Sequence, residues 1–204
     1  MISIINYGLG NLASVKNCLD RLGMPAIITS DVAEIKKSDA IVLPGVGSAG
    51  QGMKNLIDRK LSQTLIDEIK KGKPFLGVCL GMQLLFSESE EGKVKCLNII
   101  NGKVKQFNGQ KMKVPQIGWN VIKYQKSNIK DQRLLNDIPN NSSFYFVNSY
   151  YCKPMDKSLA VGETEYGINF CSILVKKNIT ATQFHPEKSG SVGQQFIKNW
   201  IKQI

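Results

Sequence analysis

Cys79 stands in the pentapeptide Gly77-Val78-Cys79-Leu80-Gly81, between an apolar strand candidate and a helix candidate. This is the spacing of a nucleophile elbow, a sharp strand-to-helix turn whose strained middle residue requires small neighbours. A thiol at a helix N-terminus favours the thiolate, because the helix dipole stabilises negative charge there. We expect the backbone N–H groups of Cys79 and Leu80 to be free to stabilise an oxyanion. Taken alone, the pentapeptide fits a small buried apolar cysteine equally well.

His185 is the only histidine of the chain and lies in the run Thr182-Gln183-Phe184-His185-Pro186-Glu187. Pro186 disfavours helical geometry at His185, and residues two apart in an extended segment project to the same side. Glu187 can therefore reach one imidazole nitrogen while the other faces a cysteine, which fixes the tautomer and the ring orientation. A lone histidine is more often a structural residue, but the adjoining proline, the carboxylate and the cysteine elbow together favour a catalytic set of Cys79, His185 and Glu187.

A third candidate segment, Leu43-Pro44-Gly45-Val46-Gly47, closes an apolar strand candidate. Its glycines would let backbone N–H groups approach a ligand closely, so the loop could supply a second oxyanion donor. An ordinary strand-to-helix turn is the alternative. Binding sites of parallel α/β sheets gather at the carboxyl ends of strands, and this loop, Cys79 and His185 all follow strand candidates.

The elements that would position these residues change in character along the chain. In the first half, strands are predicted at 2–6, 26–29, 40–43 and 74–78, and helical patterns at 11–22, 49–71 and 81–86. This alternation is typical of βαβ units and a parallel sheet. In the second half, short strands are predicted at 102–107, 121–124, 143–147, 160–164, 169–175 and 180–184, before an amphipathic helix at 191–203. We expect a single α/β domain over residues 1–204, with a mainly parallel central sheet, flanking helices and an additional antiparallel strand region.

Composition narrows the classes of partner and cofactor. The net charge of +11 comes almost entirely from dispersed lysines, which favours a solvated basic surface over a nucleic-acid site. Five scattered cysteines without an export signal are typical of reduced thiols in the cytoplasm, and with a single histidine they offer no zinc ligand cluster. The sequence has no apolar run of the ~18 residues that a membrane span needs. We therefore expect no metal, no cofactor, no nucleic-acid partner and no membrane segment.

The segments 77–83 and 184–189 resemble the two signatures of class I glutamine amidotransferases, whose fold is flavodoxin-like. A finer resemblance is to the glutaminase subunits of imidazole glycerol phosphate synthase. It is carried by Asn6-Tyr7-Gly8-Leu9-Gly10-Asn11, Pro44-Gly45-Val46-Gly47, Ile117-Gly118-Trp119-Asn120 and Tyr145-Phe146-Val147-Asn148-Ser149-Tyr150. These segments follow in order and at matching spacing from residue 1 to the end of the chain.

The resemblance implies that Cys79 attacks the side-chain amide of L-glutamine, that His185 passes a proton to the leaving ammonia, and that water then cleaves a glutamyl thioester. It implies an oxyanion hole lined by Gly47 and Leu80. It also implies a (β/α)8-barrel cyclase partner, joined in a heterodimer, which uses the ammonia to form imidazole glycerol phosphate in histidine synthesis. The family's glutaminase is nearly silent until that partner is bound. By the same resemblance, glutamine would contact Gly45, Gln83, Ser149 and Tyr150, and the partner would contact Asn11, Trp119, Tyr145 and Lys188.

The chain departs from that family's pattern at a few positions and leaves alternatives open. Gln116 and Asn148 stand where the pattern has histidine, and Asn6 stands where it has aspartate. Because of these departures, a paralogue that supplies ammonia to a sugar amidotransferase of surface polysaccharide synthesis is kept as an alternative function. A stand-alone cysteine γ-glutamyl hydrolase is another enzyme class. A degenerate regulatory module is disfavoured because nucleophile and base are both present, and an RNA-binding module because the aromatic pairs at 145–146 and 150–151 have little positive charge nearby.

Overall fold

The computed structural model describes residues 1–110, 112–124 and 132–204. The strands are β1 (Ile2–Ile5), β2 (Ala26–Thr29), β3 (Ala40–Leu43), β4 (Phe75–Val78), β5 (Phe86–Ser89), β6 (Val94–Lys95), β7 (Ile100–Gln106), β8 (Gln116–Val121), β9 (Ser143–Asn148), β10 (Tyr150–Pro154), β11 (Ala160–Glu165), β12 (Asn169–Lys176) and β13 (Ile179–Thr182). The α-helices are α1 (Leu12–Arg21), α2 (Val32–Lys37), α3 (Ala49–Asp58), α4 (Leu61–Lys70), α5 (Leu80–Gln83) and α6 (Gly190–Ile201). Short 3-10 turns cover Glu91–Lys93, Gln132–Leu135, Lys157–Leu159 and Pro186–Lys188.

The main sheet has eleven strands, and its order along the principal path is β2-β1-β3-β4-β13-β12-β10-β7-β5-β6, with β11 paired to β12. The run β2-β1-β3-β4-β13 is parallel throughout. Its order is that of a flavodoxin-like doubly wound sheet. Beyond β13 the pairing turns antiparallel through β12, β10 and β7. The expected parallel sheet with an additional antiparallel region is confirmed.

Helices cover both faces of the parallel strands, which is why those strands are continuously apolar. Buried side chains of α1 and α6 pack on one face in a single cluster with alternate residues of β1, β3 and β4. Side chains of α2, α3 and α4 form the cluster on the opposite face. Burial on both sides fixes the register of these strands, because a slip by one residue would exchange the two faces.

Several predicted boundaries were wrong, each for a tertiary reason. The pattern at 49–71 forms two helices, because Lys60 adopts a left-handed conformation (φ 58°) between α3 and α4. The helix predicted at 81–86 ends at Gln83, because Phe86 enters β5 and pairs with Ile100 of β7. The strand predicted at 121–124 lies earlier, at Gln116–Val121, where β9 is its partner.

Strands β8 and β9 form a separate antiparallel pair. One face of this pair is buried, whereas Ile117 and Trp119 on the other face are 63% and 59% exposed. Within the described residues, we find no helix with the length and apolar character required to cross a bilayer.

Candidate active site

Cys79 occupies the turn between β4 and α5 with φ 54° and ψ −109°, a conformation that is strained for a residue with a side chain. Both flanking glycines are sterically required. A Cβ on Gly81 would lie 1.8 Å from the Leu43 carbonyl oxygen, and a Cβ on Gly77 would lie 2.9 Å from the carbonyl oxygen of Gly81. The elbow expected from the pentapeptide is therefore present in the fold.

One expectation about the elbow was wrong. The backbone N–H of Cys79 is not free, because it donates to the carbonyl oxygen of Thr182 at 2.7 Å. Thr182 ends β13, which pairs in parallel with β4, so this hydrogen bond continues the ladder between the two strands. The N–H of Leu80 is engaged more weakly, at 3.4 Å from the carbonyl oxygen of Gly45.

His185 is held by backbone contacts on both sides. Its N–H donates to the carbonyl oxygen of Tyr145 at 2.9 Å, and its own carbonyl oxygen accepts from Ser189 Oγ at 2.6 Å. The preceding Phe184 is fully buried and packs on Phe144 with ring centroids 4.3 Å apart. The imidazole is thus positioned by β9 and by the segment that follows β13.

The imidazole Nδ1 lies 2.8 Å from Glu187 Oε1, and both side chains are 2% exposed. Burial on its own lowers the pKa of His185, but the Cys79 sulfur and the Glu187 carboxylate outweigh it and raise the pKa to about 10. Among the described residues, Nε2 has no hydrogen bond of normal geometry, although it lies within electrostatic range of Cys79. Such contacts are often poorly aligned before substrate binds. The three residues are therefore brought together in the order Cys79, His185, Glu187.

A cavity of about 280 Å³ opens onto the sulfur of Cys79. The cavity lies between the ends of β3 and β4, the turn after β5 and the start of β10. Its lining residues are Val46, Gly47, Cys79, Leu80, Gln83, Glu91, Pro115, Val147, Asn148, Ser149 and Tyr150. Gly47, Leu80, Gln83, Ser149 and Tyr150, which the sequence predicts as site residues, all lie on its wall. Gly45 lies behind the wall, where a Cβ would come within 2.3 Å of the Tyr7 hydroxyl.

Two residues beside the cavity were missed from sequence. Glu91 is a carboxylate on the cavity wall, and its Oε2 accepts from the Ala49 N–H at 2.6 Å. Gln183 is fully buried, and its Nε2 lies 3.7 Å from Cys79 Sγ. The spacing that links His185 to Glu187 also links Gln183 to His185, so period-two alternation could have indicated Gln183.

Two of the three positions that depart from the family pattern lie together at the inner face of β8 and β9, whereas Asn6 follows β1 and its side chain accepts from the Gly8 N–H. Gln116 and Asn148 are direct partners in the register and are 3% and 5% exposed. Asn148 Nδ2 donates to the Tyr150 carbonyl oxygen at 3.0 Å. Both polar atoms of the Gln116 side chain, and Asn148 Oδ1, have no hydrogen-bond partner among the described residues.

Three of the residues expected to face a partner form one group on the outer face of β8 and β9. The rings of Trp119 and Tyr145 have centroids 6.1 Å apart, and Lys188 Nζ lies 6.0 Å from the Tyr145 centroid. Asn11 caps α1, with its side chain accepting from the Ser14 N–H, and α1 packs against the turn that carries Lys188. Within the described residues, no group of three or more histidine, cysteine or acidic side chains is arranged to hold a metal ion.

The family model for glutamine amidotransferase class-I matches residues 3–204. The chain belongs to this family. Among curated relatives of this amidotransferase, imidazole glycerol phosphate synthase subunit HisH of Methanocaldococcus jannaschii is 46% identical over 203 residues, covering 99% of each chain. HisH of Chlorobaculum tepidum is 44% identical over 205 residues, covering 99% of this chain and 100% of the relative. Within class I, the amidotransferase therefore belongs with the HisH subunits.

Solved structures agree on the fold. A crystal structure described as glutamine amidotransferase has a TM-score of 0.75 at 14% identity and covers 99% of this chain and 98% of the other. The structure of PurLQS from Thermotoga maritima matches with a TM-score of 0.72 at 15% identity, covering 99% and 97%. At these identities the likeness concerns the fold alone.

Proposed function

We propose that this amidotransferase is the glutaminase subunit of imidazole glycerol phosphate synthase and supplies ammonia to a cyclase subunit. The observation that carries the proposal is the buried set of Cys79, His185 and Glu187, of which Cys79 lies at the wall of a cavity of about 280 Å³. Kinship with HisH subunits over nearly the whole chain supports the choice of pathway.

In the proposed reaction, the Cys79 thiolate attacks the side-chain amide carbon of L-glutamine. His185, charged at neutral pH, gives its proton to the departing ammonia, and a glutamyl thioester remains on the sulfur. Neutral His185 then takes a proton from water, which attacks the thioester and releases glutamate. Glu187 holds Nδ1 and stabilises the imidazolium, as the 2.8 Å contact supports.

Glutamine binding would use the opposite wall of the cavity. Glu91 is a carboxylate placed to pair with the α-ammonium group of the substrate. Gln83, Ser149 and Tyr150 would hold the remaining polar atoms, and Gly45 would shape the floor beside the elbow.

The oxyanion would be stabilised by the N–H groups of Leu80 and Gly47. Leu80 currently donates to Gly45 through a long hydrogen bond of 3.4 Å, so that carbonyl must turn away before Leu80 can serve the oxyanion. This requirement is consistent with a glutaminase that is slow by itself and accelerates when a partner reshapes the loop.

The proposed partner is a (β/α)8-barrel cyclase subunit that joins the chain in a heterodimer. It would dock on the exposed group formed by Trp119, Tyr145 and Lys188, with Asn11 at the border. This face lies directly outside His185, because the backbone of Tyr145 hydrogen bonds to that residue. Ammonia released at Cys79 would leave toward the same side.

The test is glutamate release from glutamine by the purified chain, alone and with the cyclase subunit of imidazole glycerol phosphate synthase carrying its nucleotide ligand. We expect low activity alone, a large rise with the cyclase, and a loss of at least about a thousandfold in Cys79→Ala. Cys96→Ala, at a half-buried thiol outside the site, is the matched control and should retain activity.

Retained activity in Cys79→Ala would contradict the catalytic assignment. Covalent labelling of Cys79 by a glutamine analogue without any rise from the cyclase would move the ammonia to another acceptor, such as a sugar amidotransferase.

A further inference from the structure

The side chain of Gln183 is fully buried beside the nucleophile. Its Nε2 donates toward Cys79 Sγ at 3.7 Å, and its Oε1 accepts from Gln83 Nε2 at 3.1 Å. The backbone N–H of Gln183 is satisfied separately by the carbonyl oxygen of Ser172 at 3.0 Å. The strand therefore holds Gln183 in place without the side-chain amide.

The orientation of this amide is set by a backbone group. Gln83 Nε2 also donates to the carbonyl oxygen of Tyr150 at 3.3 Å, and a carbonyl oxygen can only accept. Gln83 must therefore donate through its NH2 group, and Gln183 must accept through its Oε1. The remaining end of the Gln183 amide, which faces the sulfur, is the NH2 group. Gln83 therefore donates to both Tyr150 and Gln183, and Gln183 in turn donates to Cys79.

Besides His185, the sulfur of Cys79 has two polar neighbours, and these favour different protonation states. A thiol can donate to the carbonyl oxygen of Val147, which lies 3.8 Å from Sγ. A thiolate cannot donate, and it is repelled by that oxygen. The NH2 group of Gln183 has the opposite preference, because a donor binds an ionised acceptor more strongly than a neutral one.

We propose that Gln183 is a positioning residue that orients the Cys79 sulfur and stabilises its thiolate. A hydrogen bond from Gln83 fixes the orientation of the Gln183 amide. This inference rests on the proposed function, in which Cys79 is the nucleophile. Gln183 does not line the glutamine cavity, so its role concerns the nucleophile rather than substrate affinity.

The experiment compares the pH dependence of Cys79 alkylation by iodoacetamide in the complete chain, with the modified peptide identified by mass spectrometry. Gln183→Met keeps the approximate volume and removes the donor. Gln183→Glu keeps an acceptor for Gln83 and also removes the donor. In both variants we expect the alkylation midpoint to rise by about one pH unit or more, because the thiolate has lost a hydrogen-bond donor. With the cyclase present, kcat should fall about tenfold while KM for glutamine changes little.

Thr164→Val is the matched control. Thr164 is 1% exposed and its hydroxyl has no partner among the described residues, so this variant removes a buried polar atom away from Cys79. Its alkylation profile should be that of the unmodified chain. An unchanged midpoint in both Gln183 variants would overturn the inference, as would an equal shift in Thr164→Val.

A second measurement needs no Gln183 variant and covers the case in which these variants fold poorly. In the unmodified chain labelled with 15N-glutamine, the side-chain NH2 signal of Gln183 should shift with the same pH midpoint as Cys79 alkylation, and this shift should vanish in Cys79→Ser. A signal that does not follow that midpoint would overturn the inference. Failure of the proposed function is distinguished separately, since its signs are glutaminase activity that survives in Cys79→Ala or the absence of any rise with the cyclase, and neither measurement involves Gln183.

Discussion

The carbonyl oxygen of Gly45 accepts a hydrogen bond of 3.4 Å from the backbone nitrogen of Leu80. This contact joins the loop after β3 to the first residue of α5, so loop and elbow share one narrow space. Tyr7 closes that space from the other side, with a fully buried ring whose hydroxyl has no partner among the described residues. The loop can therefore change conformation only in ways that leave room for Tyr7 and Leu80.

Gly45→Ala should disrupt this contact. A Cβ there would lie 2.3 Å from the Tyr7 hydroxyl and 2.7 Å from Leu80 Cβ, so both neighbours must move. We expect a loss of about 1–3 kcal/mol in the free energy of unfolding and a marked loss of cyclase-stimulated glutaminase activity. Urea denaturation and glutamate release measure the two effects.

Gly50→Ala is the control for that substitution, because a Cβ at Gly50 meets nothing within 4 Å. Gly50 lies within α3, where alanine is a better helix former by about 0.5–1 kcal/mol. We expect equal or higher stability and unchanged activity. Full activity in Gly45→Ala would show that the space around the loop is less restricted than the contacts indicate.

The single histidine permits a direct titration by NMR. With a pKa raised to about 10, the His185 imidazole should stay protonated at neutral pH and lose its proton only as the pH rises through that value. Cys79→Ala and Glu187→Gln each remove one of the groups that raise the pKa, so each should lower it. With both removed, burial alone remains, and the pKa should fall below the ordinary 6.5. A wild-type imidazole that titrates near 6.5 would contradict the coupling of the three side chains.

Glu91→Gln tests the binding of the α-ammonium group. The substitution keeps an oxygen on the cavity wall and removes its charge. We expect KM for glutamine to rise about tenfold with a smaller change in kcat, because this contact is made equally in the ground and transition states. Steady-state kinetics with the cyclase present provide the measurement. Glu90→Gln, at the neighbouring carboxylate outside the cavity lining, is the control and should keep the original KM.

Trp119→Ala tests the docking face. Because the ring is 59% exposed, its removal should leave the melting temperature nearly unchanged. Affinity for the cyclase should fall about tenfold or more, as expected for an aromatic anchor at an interface. Met155, which is 80% exposed and lies at the end of β10, provides the control in Met155→Ala. If calorimetric titration gave the two variants equal affinities for the cyclase, Trp119 would not be part of the interface.

Glu68 provides a test of stability away from the site. Lys71 and Lys73 hydrogen bond to its carboxylate and lower its pKa below 4.5, and its side chain is only 4% exposed. A carboxylate whose pKa is lower in the folded state than in the unfolded state stabilises the fold at pH values above the unfolded-state pKa. This stabilisation is lost as the pH falls through the folded-state pKa. Glu68→Gln should therefore cost about 1–3 kcal/mol near pH 7, and the deficit should shrink below pH ~4.5. Asp58→Asn, in an exposed pair with Lys54, should change little.

Local rules explain which parts of the site were predictable. The elbow at Cys79 is indicated by the two glycines around the cysteine, so a short segment is enough to predict it. Pro186 makes His185 extended as expected, but Glu187 lies in the 3-10 turn Pro186–Lys188, so its contact with His185 arises from that turn and not from strand periodicity. The carboxyl-end position of the site follows from the βαβ pattern. Family resemblance pointed to Gly47, Leu80, Gln83, Ser149 and Tyr150 on the cavity wall, but not to Glu91.

Contacts that depend on strand order were not predictable. The bond from the Cys79 N–H to Thr182 requires β4 and β13 to be neighbours, although about a hundred residues separate them in sequence. Glu91 reaches the cavity because β5 follows α5 so closely, where a longer helix was predicted. The donor from Gln183 to Cys79 also needs the pairing of β4 with β13, although alternation along the chain could have indicated the face on which Gln183 lies.

Cys79 follows the last residue of β4, and His185 follows β13 by three positions, while Val78 and Thr182 are paired in register. Adjacent strands are about 4.8 Å apart whatever side chains they carry, because peptide hydrogen bonds set that spacing. The main chain therefore sets the separation between the acid–base residue and the nucleophile. Side-chain substitutions in the surrounding helices need not change this separation, because side chains do not set it.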